Sequence, residues 1–202
     1  SLMGDIRTEH FTRLTKDQWK SSKSVSEKTA VLFIHGKGGN AGESEHYKDL
    51  FSQCDVFGLD YISNTPWEAK EEIQTEIESL SGKYKNMILV ANSIGAFFSM
   101  NANIEHAIQK AYFISPIVNM ERLIMDMMLW AKVTEAELKE KLTIETEFDE
   151  TLSWEYLSYV RSNPICWNVP TDILYGDKDN LTSIETITEF AKSHNAKLTV
   201  MK

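Results

Sequence analysis

The sequence predicts an α/β domain, a mostly parallel central sheet flanked by helices, with a small helical insertion. Three observations carry this prediction. Short apolar runs recur along the chain, as expected of strands that are buried on both faces. Amphipathic helical patterns alternate with those runs. One long stretch breaks the alternation with helical patterns alone. With 202 residues, the chain is long enough for one such domain and its core.

Six apolar runs are the predicted strands. They cover residues 30–36, 54–61, 87–92, 111–116, 171–176 and 197–202. The polar segment over residues 6–15 alternates in the manner of an edge strand and is predicted as a seventh.

Two helical patterns between the strands are clear. One covers residues 66–83, where Thr65 is a favourable cap and Pro66 stands at the first helical position. The other covers residues 183–194, with Ile184, Ile187 and Ala191 on one face.

The insertion lies between the fourth and fifth regular strands, within residues 117–170, where no strand pattern is found. It is rich in Met, Leu and Trp, which suits an apolar wall over a pocket. We therefore predict a single domain over residues 1–202 with a helical cap at about 117–165. Helices that pack only on one another remain the alternative.

Composition and charge exclude several classes of function. The net charge is −9 and no basic cluster is present, so nucleic acid and anionic membrane surfaces are poor candidate partners. No apolar run reaches the roughly 18 residues that span a bilayer, and no signal peptide is recognisable. The two cysteines, Cys54 and Cys166, lie in apolar settings without metal-site spacing. They are predicted to be buried reduced thiols, which favours the cytoplasm.

The stretch "VANSIGAFF", residues 90–98, places Ser93 where a buried strand turns into a helix. A serine at such a turn is lifted above the carboxyl edge of the sheet, and the residues two before and two after it must be small. Ala91 and Gly95 meet that requirement. Ser93 is therefore a candidate nucleophile, and the alternative is a cap for the helix that starts at Ile94.

Two further stretches point to the same edge. "FIHGKGGN", residues 33–40, follows the first strand, and its backbone N–H of Lys37, together with that of Ile94, could bind an oxyanion. A plain glycine-rich turn is the alternative. "LYGDKDNLT", residues 174–182, places Asp179 on a loop where it could orient a histidine. Asp177 is the rival acid, but it lies closer to the strand end.

Together these stretches resemble the α/β-hydrolase family, in its compact esterase and acyl-hydrolase branch with a helical cap. The resemblance covers nearly the whole chain. It implies a serine nucleophile at Ser93, an acid at Asp179, oxyanion donors at Lys37 and Ile94, and neither a metal nor an organic cofactor. The chain departs from the family where Asp60 is followed by Tyr61 and Ile62, because relatives often carry an Arg-Gly loop there.

The family order of serine, acid and histidine places the base after the last strand, 197–202, and no histidine follows within the sequence. His106 and His194 precede strands and so belong to the opposite edge. His35 and His46 are nearer the site and are predicted only as pocket residues. We expect a continuation of the chain to carry the base. Without it, activity should fall by about 10⁵ to 10⁶.

The function predicted is a serine hydrolase that cleaves a small acyl ester, thioester or amide. A non-catalytic ligand-binding or interaction protein on the same scaffold is the alternative. A dehalogenase is disfavoured, since that reaction needs an aspartate at position 93.

Overall fold

The computed structural model describes residues 29–202, and its central sheet has six strands, all parallel. The eight strands of the described chain are β1 Thr29–Ile34, β2 Asp55–Leu59, β3 Asn86–Asn92, β4 Lys110–Ile114, β5 Thr143–Glu145, β6 Thr151–Ser153, β7 Thr171–Gly176 and β8 Lys197–Met201. The sheet order is β2-β1-β3-β4-β7-β8. The predicted fold class is confirmed. The edge strand predicted over residues 6–15 lies outside the described residues.

Six α-helices connect the strands within residues 29–202. They are α1 Pro66–Ser81, α2 Ile94–Met100, α3 Met120–Ala131, α4 Glu135–Lys141, α5 Trp154–Ser162 and α6 Ile184–Ser193. Two 3₁₀ helices, Ala41–Tyr47 and Glu105–Ala107, complete the connections. None of the helices within residues 29–202 is both long and apolar enough to cross a membrane.

Helix α1 begins where its sequence predicts. The Thr65 hydroxyl accepts a hydrogen bond from the Glu68 N–H, and Pro66 occupies the first turn, where its missing N–H is not needed. Helix α6 begins after Ser183, whose hydroxyl accepts from the Thr186 N–H. On the apolar face predicted for α6, Ile187 and Ala191 are buried. Ile184, in the first turn, is 40% exposed.

The centre of the sheet is the core of the protein. Every residue of β1 and of β7 is buried, as are the five middle residues of β3. Leu89 of β3 pairs with Leu32 of β1 on one side and with Ala111 of β4 on the other. Because all six strands are parallel, their carboxyl ends lie at one edge of the sheet, and the loops that follow them share that edge.

Residues 119–166 form a second compact unit, bounded by Asn119 and Cys166. It contains α3, α4 and α5, with Arg161 paired to both Glu121 and Glu135. The expectation of no strand in this stretch is wrong, since β5 and β6 form an antiparallel hairpin. Each strand has only three residues, too few for an alternating pattern to be visible. The role of this unit as a cap stays a prediction.

The prediction that both cysteines are buried is wrong. Cys166 is exposed and lies in the irregular segment between α5 and β7. Cys54 is partly buried beside the core at the start of β2. Burial, with the neighbouring Asp55 carboxylate, raises the pKa of the Cys54 thiol to about 11.

Three buried tyrosines make the stability of this fold sensitive to alkaline pH. Burial raises the pKa of Tyr47, Tyr61 and Tyr112 well above the ordinary 10, and nearby carboxylates add to the effect. In the unfolded chain these phenols ionise near pH 10, whereas in the folded chain they stay neutral. The stability is therefore fully present below about pH 10 and is lost as the pH rises above it.

We expect each of these tyrosines to lower the free energy of unfolding by about 1.4 kcal/mol per pH unit above pH 10. Urea unfolding at several alkaline pH values measures the slope. Tyr112→Phe should reduce the slope by about 1.4 kcal/mol per pH unit, which is the contribution of one such group. A slope that is unchanged in the variant would contradict the account.

Candidate active site

Ser93 lies at the turn between β3 and α2 in a backbone conformation that serine rarely adopts. Its φ is 53° and its ψ is −119°, outside the regions that L-residues prefer. Two hydrogen bonds hold the turn: the Ser93 N–H donates to the Ile114 carbonyl, and the Ile117 N–H donates to the Ser93 carbonyl. The strain is thus fixed by the neighbouring strand, as in a strand-to-helix turn that lifts a serine above the sheet.

The serine hydroxyl does not cap the helix. A helix cap has extended backbone and a side chain that accepts from the second or third N–H of the helix. The Ser93 backbone is not extended, and its side chain makes no capping hydrogen bond. Helix α2 starts at Ile94, as the sequence predicts, but the capping interpretation of Ser93 is wrong.

Gly95 explains why the turn can be so tight. A Cβ atom at position 95 would stand 2.4 Å from the His35 carbonyl oxygen and 2.6 Å from the Ile34 carbonyl oxygen. Both oxygens belong to backbone at the end of β1, so the first turn of α2 runs directly against that strand. A residue without a side chain is required here. The same contact brings the loop that follows β1 to the serine.

The glycine-rich loop after β1 forms a narrow turn beside Ser93. The Gly39 N–H donates to the Gly36 carbonyl, and Gly38 has a φ of 75°, as the third residue of a type II turn requires. A Cβ atom at position 36 would lie 3.3 Å from the Ser93 Cβ. Gly36 therefore lies beside the Ser93 side chain, and Lys37, the second residue of this turn, is the next residue along the chain.

Asn40 ends this loop and begins the 3₁₀ helix with a reciprocal cap. Its side-chain oxygen accepts from the Gly42 N–H at 2.8 Å, and its own N–H donates to the Glu43 carboxylate at 2.8 Å. The loop is thus held at both ends, by β1 and by a capped helix.

The acid loop follows β7. Asp179 is partly buried, whereas Asp177 is exposed. One carboxylate oxygen of Asp179, Oδ1, accepts hydrogen bonds from the Leu181 N–H at 2.8 Å and the Thr182 N–H at 3.3 Å. The Tyr175 hydroxyl donates to the Thr182 carbonyl at 2.6 Å and fixes the far end of the loop. The two amides orient the carboxylate through one oxygen.

Hydrogen bonds across the strand ends connect the acid loop with Ser93. The Ser93 N–H donates to Ile114 at the end of β4, and the Ser115 N–H donates to Leu174 near the end of β7. Ser93 and the start of the acid loop therefore stand two strands apart at the same edge, or about 10 Å at the usual strand spacing.

Comparisons with known proteins agree with this architecture. Neither a protein-family model nor a curated protein matches the sequence. Among solved structures, the chain is similar to Est1E from Butyrivibrio proteoclasticus, in a structure with bound ferulic acid. The TM-score is 0.62 at 16% identity, and the match covers 89% of this chain and 82% of that one.

Two further structures have the same fold. Mouse alpha/beta hydrolase domain-containing protein 10 matches with a TM-score of 0.65 at 16% identity, over 85% of this chain and 78% of that one. A thioesterase domain from the curacin biosynthetic pathway matches with a TM-score of 0.56 at 16% identity, over 87% and 85%. The chain has the α/β-hydrolase fold. Identities this low establish the fold and leave the activity to the site.

The four histidines within residues 29–202 divide into two groups, those that precede strands and those that follow β1. His106 and His194 precede β4 and β8, at the amino edge of the sheet, and the His194 ring packs on Phe190. His46 is exposed on the first 3₁₀ helix. His35 is buried, with its ring nitrogens 2.7 Å from the Gly36 carbonyl and 3.2 Å from the Tyr61 carbonyl.

A carbonyl oxygen can only accept, so the neutral His35 ring donates to one of these two groups, through whichever nitrogen carries its proton. The His35 ring thus contacts the backbone of the loops that follow β1 and β2. That His35 and His46 line a pocket stays a prediction, and His10 lies outside the described residues.

Two residues at this edge of the sheet, Ser115 and Tyr61, were not predicted from the sequence as site residues. Ser115, directly after β4, has a φ of 44° and is buried, and its hydroxyl has no hydrogen-bond partner among residues 29–202. Ser115 is therefore a second residue beside the Ser93 turn whose backbone conformation and buried hydroxyl are energetically unfavourable. Tyr61, noted in the sequence only as a departure from the family, is buried against His35. The sole sequence signal for Tyr61 is that departure.

Proposed function

We propose that this protein is a serine hydrolase that cleaves a small acyl ester or thioester through an acyl-enzyme on Ser93. The observation that carries the proposal is the strained backbone of Ser93, with its hydroxyl unused as a cap and the glycine-rich loop packed against it. Strain of this kind persists where function requires it. The thioesterase domain that shares the fold favours this class of substrate.

The chemistry assigns a role to each group. The Ser93 Oγ attacks the acyl carbonyl carbon while a histidine base takes its proton. The carbonyl oxygen becomes an oxyanion, which the backbone N–H groups of Lys37 and Ile94 stabilise, each worth about 3 to 4 kcal/mol. The base returns the proton to the departing alkoxide or thiolate. Water then attacks the acyl-enzyme, releases the acid and regenerates the serine.

Asp179 would orient the base and stabilise its charged form. Its Oδ1 is engaged by two backbone amides, so Oδ2 is the oxygen proposed to face the histidine. The family order places that histidine after β8. A histidine after β8 would be close to the acid loop, because the Asp177 N–H donates to the Met201 carbonyl at the end of β8. A residue that follows β8 would therefore emerge beside the acid loop.

We expect Asp179→Asn in the full-length protein to lower kcat for a p-nitrophenyl ester by about 10⁴. Asparagine keeps the oxygen that accepts from Leu181 and Thr182, so the loop should persist while the charge is lost. The matched control is Asp177→Asn, on the same loop but exposed, for which kcat should change less than about threefold. A larger loss for Asp177→Asn than for Asp179→Asn would contradict the assignment of the acid.

A second candidate is a non-catalytic ligand-binding protein on the same scaffold. It is favoured by the surroundings of His35, because both ring nitrogens lie against backbone carbonyl groups, those of Gly36 and Tyr61. A fluorophosphonate probe separates the two functions, because it reacts with an activated serine and not with an ordinary one. Labelling of Ser93 in the full-length protein, together with turnover of p-nitrophenyl esters, supports the hydrolase. Absence of both supports the binding protein.

A further inference from the structure

We infer that Tyr61 is a positioning residue. It holds the glycine-rich loop after β1, residues 35–40, which we call the oxyanion loop, against the turn at Ser93, which we call the serine turn. The inference rests on the proposed function, since it concerns the same site. Tyr61 follows β2, and its hydroxyl donates to the His35 carbonyl at 2.7 Å. Its ring stacks on the His35 imidazole, with centroids 4.1 Å apart and planes 7° from parallel. The Tyr61 side chain thus contacts both the backbone and the ring of His35, the first residue of the loop.

The contacts continue from Tyr61 to the serine turn. The His35 carbonyl held by Tyr61 is the same group that faces Gly95, where a Cβ atom would stand 2.4 Å from its oxygen. The next residue, Gly36, lies against the Ser93 Cβ. The peptide that joins residues 35 and 36 is therefore fixed between the tyrosine hydroxyl and the first turn of α2. The amide of Lys37 follows one peptide later.

Tyr61 is itself firmly held. It is 6% exposed, whereas the next residue, Ile62, is 86% exposed, so the loop buries the residue with a hydroxyl and leaves the aliphatic one in water. Its ring also meets Phe98 of α2 edge-on, at 5.7 Å. Glu72 of α1 accepts from the Ile62 and Ser63 N–H groups and anchors the loop from outside. Tyr61 therefore joins the loop after β1 to the helix that carries the nucleophile.

The phenol stays a donor over the working pH range. Burial raises the pKa of the Tyr61 hydroxyl, and the Glu72 and Glu43 carboxylates raise it further. A neutral phenol donates one hydrogen bond, and its acceptor, the His35 carbonyl, faces Gly95 on the other side. Removal of the hydroxyl would leave that buried carbonyl without this partner, and a shift of the loop would move the oxyanion donors with it.

The test is Tyr61→Phe in the full-length protein, which keeps the ring and removes the hydroxyl. We expect kcat for a p-nitrophenyl ester to fall about 10- to 100-fold with KM changed less than twofold, because only the transition state uses the oxyanion donors. The affinity for a trifluoromethyl ketone, which forms a tetrahedral oxyanion on the serine, should weaken by a similar factor. Rates are normalised to the serine labelled by fluorophosphonate, so an unfolded fraction does not count.

The matched control is Tyr84→Phe. The Tyr84 hydroxyl also makes one hydrogen bond, to Asp55 at 2.6 Å, but at the start of β2 and away from the serine turn. Its kcat and its affinity for the ketone should match those of the wild type. If Tyr61→Phe is poorly folded in buffer, the assays are run for all variants in concentrated sucrose, which favours the folded state.

The outcomes separate the two claims. A wild-type protein that is neither labelled at Ser93 nor active on esters overturns the proposed function. A wild-type protein that is labelled and active, with Tyr61→Phe unchanged in kcat and in ketone affinity, overturns the positioning role alone. A Tyr61→Phe protein that is less stable than the wild type but has the same kcat per labelled serine also overturns the positioning role alone.

Discussion

Ser93→Ala in the full-length protein is expected to abolish hydrolysis of p-nitrophenyl esters, with a fall in kcat of about 10⁶. The physical reason is that the covalent step has no nucleophile once the hydroxyl is gone, while the oxyanion donors and the fold remain. Fluorophosphonate labelling should disappear in the same variant. The stability of the variant is measured in urea as well. It should stay within about 0.5 kcal/mol of the wild type, because the Ser93 hydroxyl makes no capping hydrogen bond.

The control for this variant is Ser99→Ala. Ser99 is buried on the same helix, α2, and its hydroxyl donates to the Gly95 carbonyl at 2.7 Å. This back-bond to the preceding turn contributes little to helix stability, so kcat should stay within about threefold of the wild type. Labelling and turnover that persist in Ser93→Ala would show that the reactive group is elsewhere.

The second large effect is expected for Gly95→Ala, with the free energy of unfolding lowered by about 3 kcal/mol. In an ordinary helix, the same change stabilises by up to about 1 kcal/mol. Here the added Cβ would stand 2.4 Å from the His35 carbonyl oxygen and 2.6 Å from the Ile34 carbonyl oxygen. Both are backbone atoms at the buried end of β1 and cannot rotate away as a side chain would. The strand end, the oxyanion loop or the serine turn must shift, so activity should fall together with stability.

Gly82→Ala is the matched control for Gly95→Ala. Gly82 ends α1 with a φ of −73°, and a Cβ atom there would meet its nearest neighbour, the Ser79 carbonyl oxygen, at 3.6 Å. Alanine fits this conformation, so stability should rise by about 0.4 to 1 kcal/mol. Urea unfolding of the two variants gives effects of opposite sign. A Gly95→Ala protein as stable as Gly82→Ala would mean that α2 does not pass so close to β1.

The parts of the fold that could be predicted are those encoded by local patterns. Continuous apolar runs indicate buried parallel strands, and Thr65 followed by Pro66 marks the start of α1. The serine turn was also predictable, because the small residues at 91 and 95 reflect the close approach of a strand and a helix. These signals arise within a few residues of the feature that they describe.

The parts that could not be predicted depend on contacts between distant residues. The hairpin of β5 and β6 has three residues in each strand, so no period is visible. The exposure of Cys166 depends on what covers residues 163–170, and the apolar character of its neighbours does not reveal that. Tyr61 acquires its place only when the loops after β1 and β2 meet, since His35 and Tyr61 are 26 residues apart in sequence.

The crystal structure of the full-length protein after reaction with a fluorophosphonate tests the central claim most directly. The account predicts phosphorus bound to the Ser93 Oγ, its phosphoryl oxygen within hydrogen-bond distance of the Lys37 and Ile94 amides, and the Asp179 carboxylate at the same edge of the sheet. A phosphoryl oxygen turned to solvent, with the loop after β1 away from it, would contradict the account.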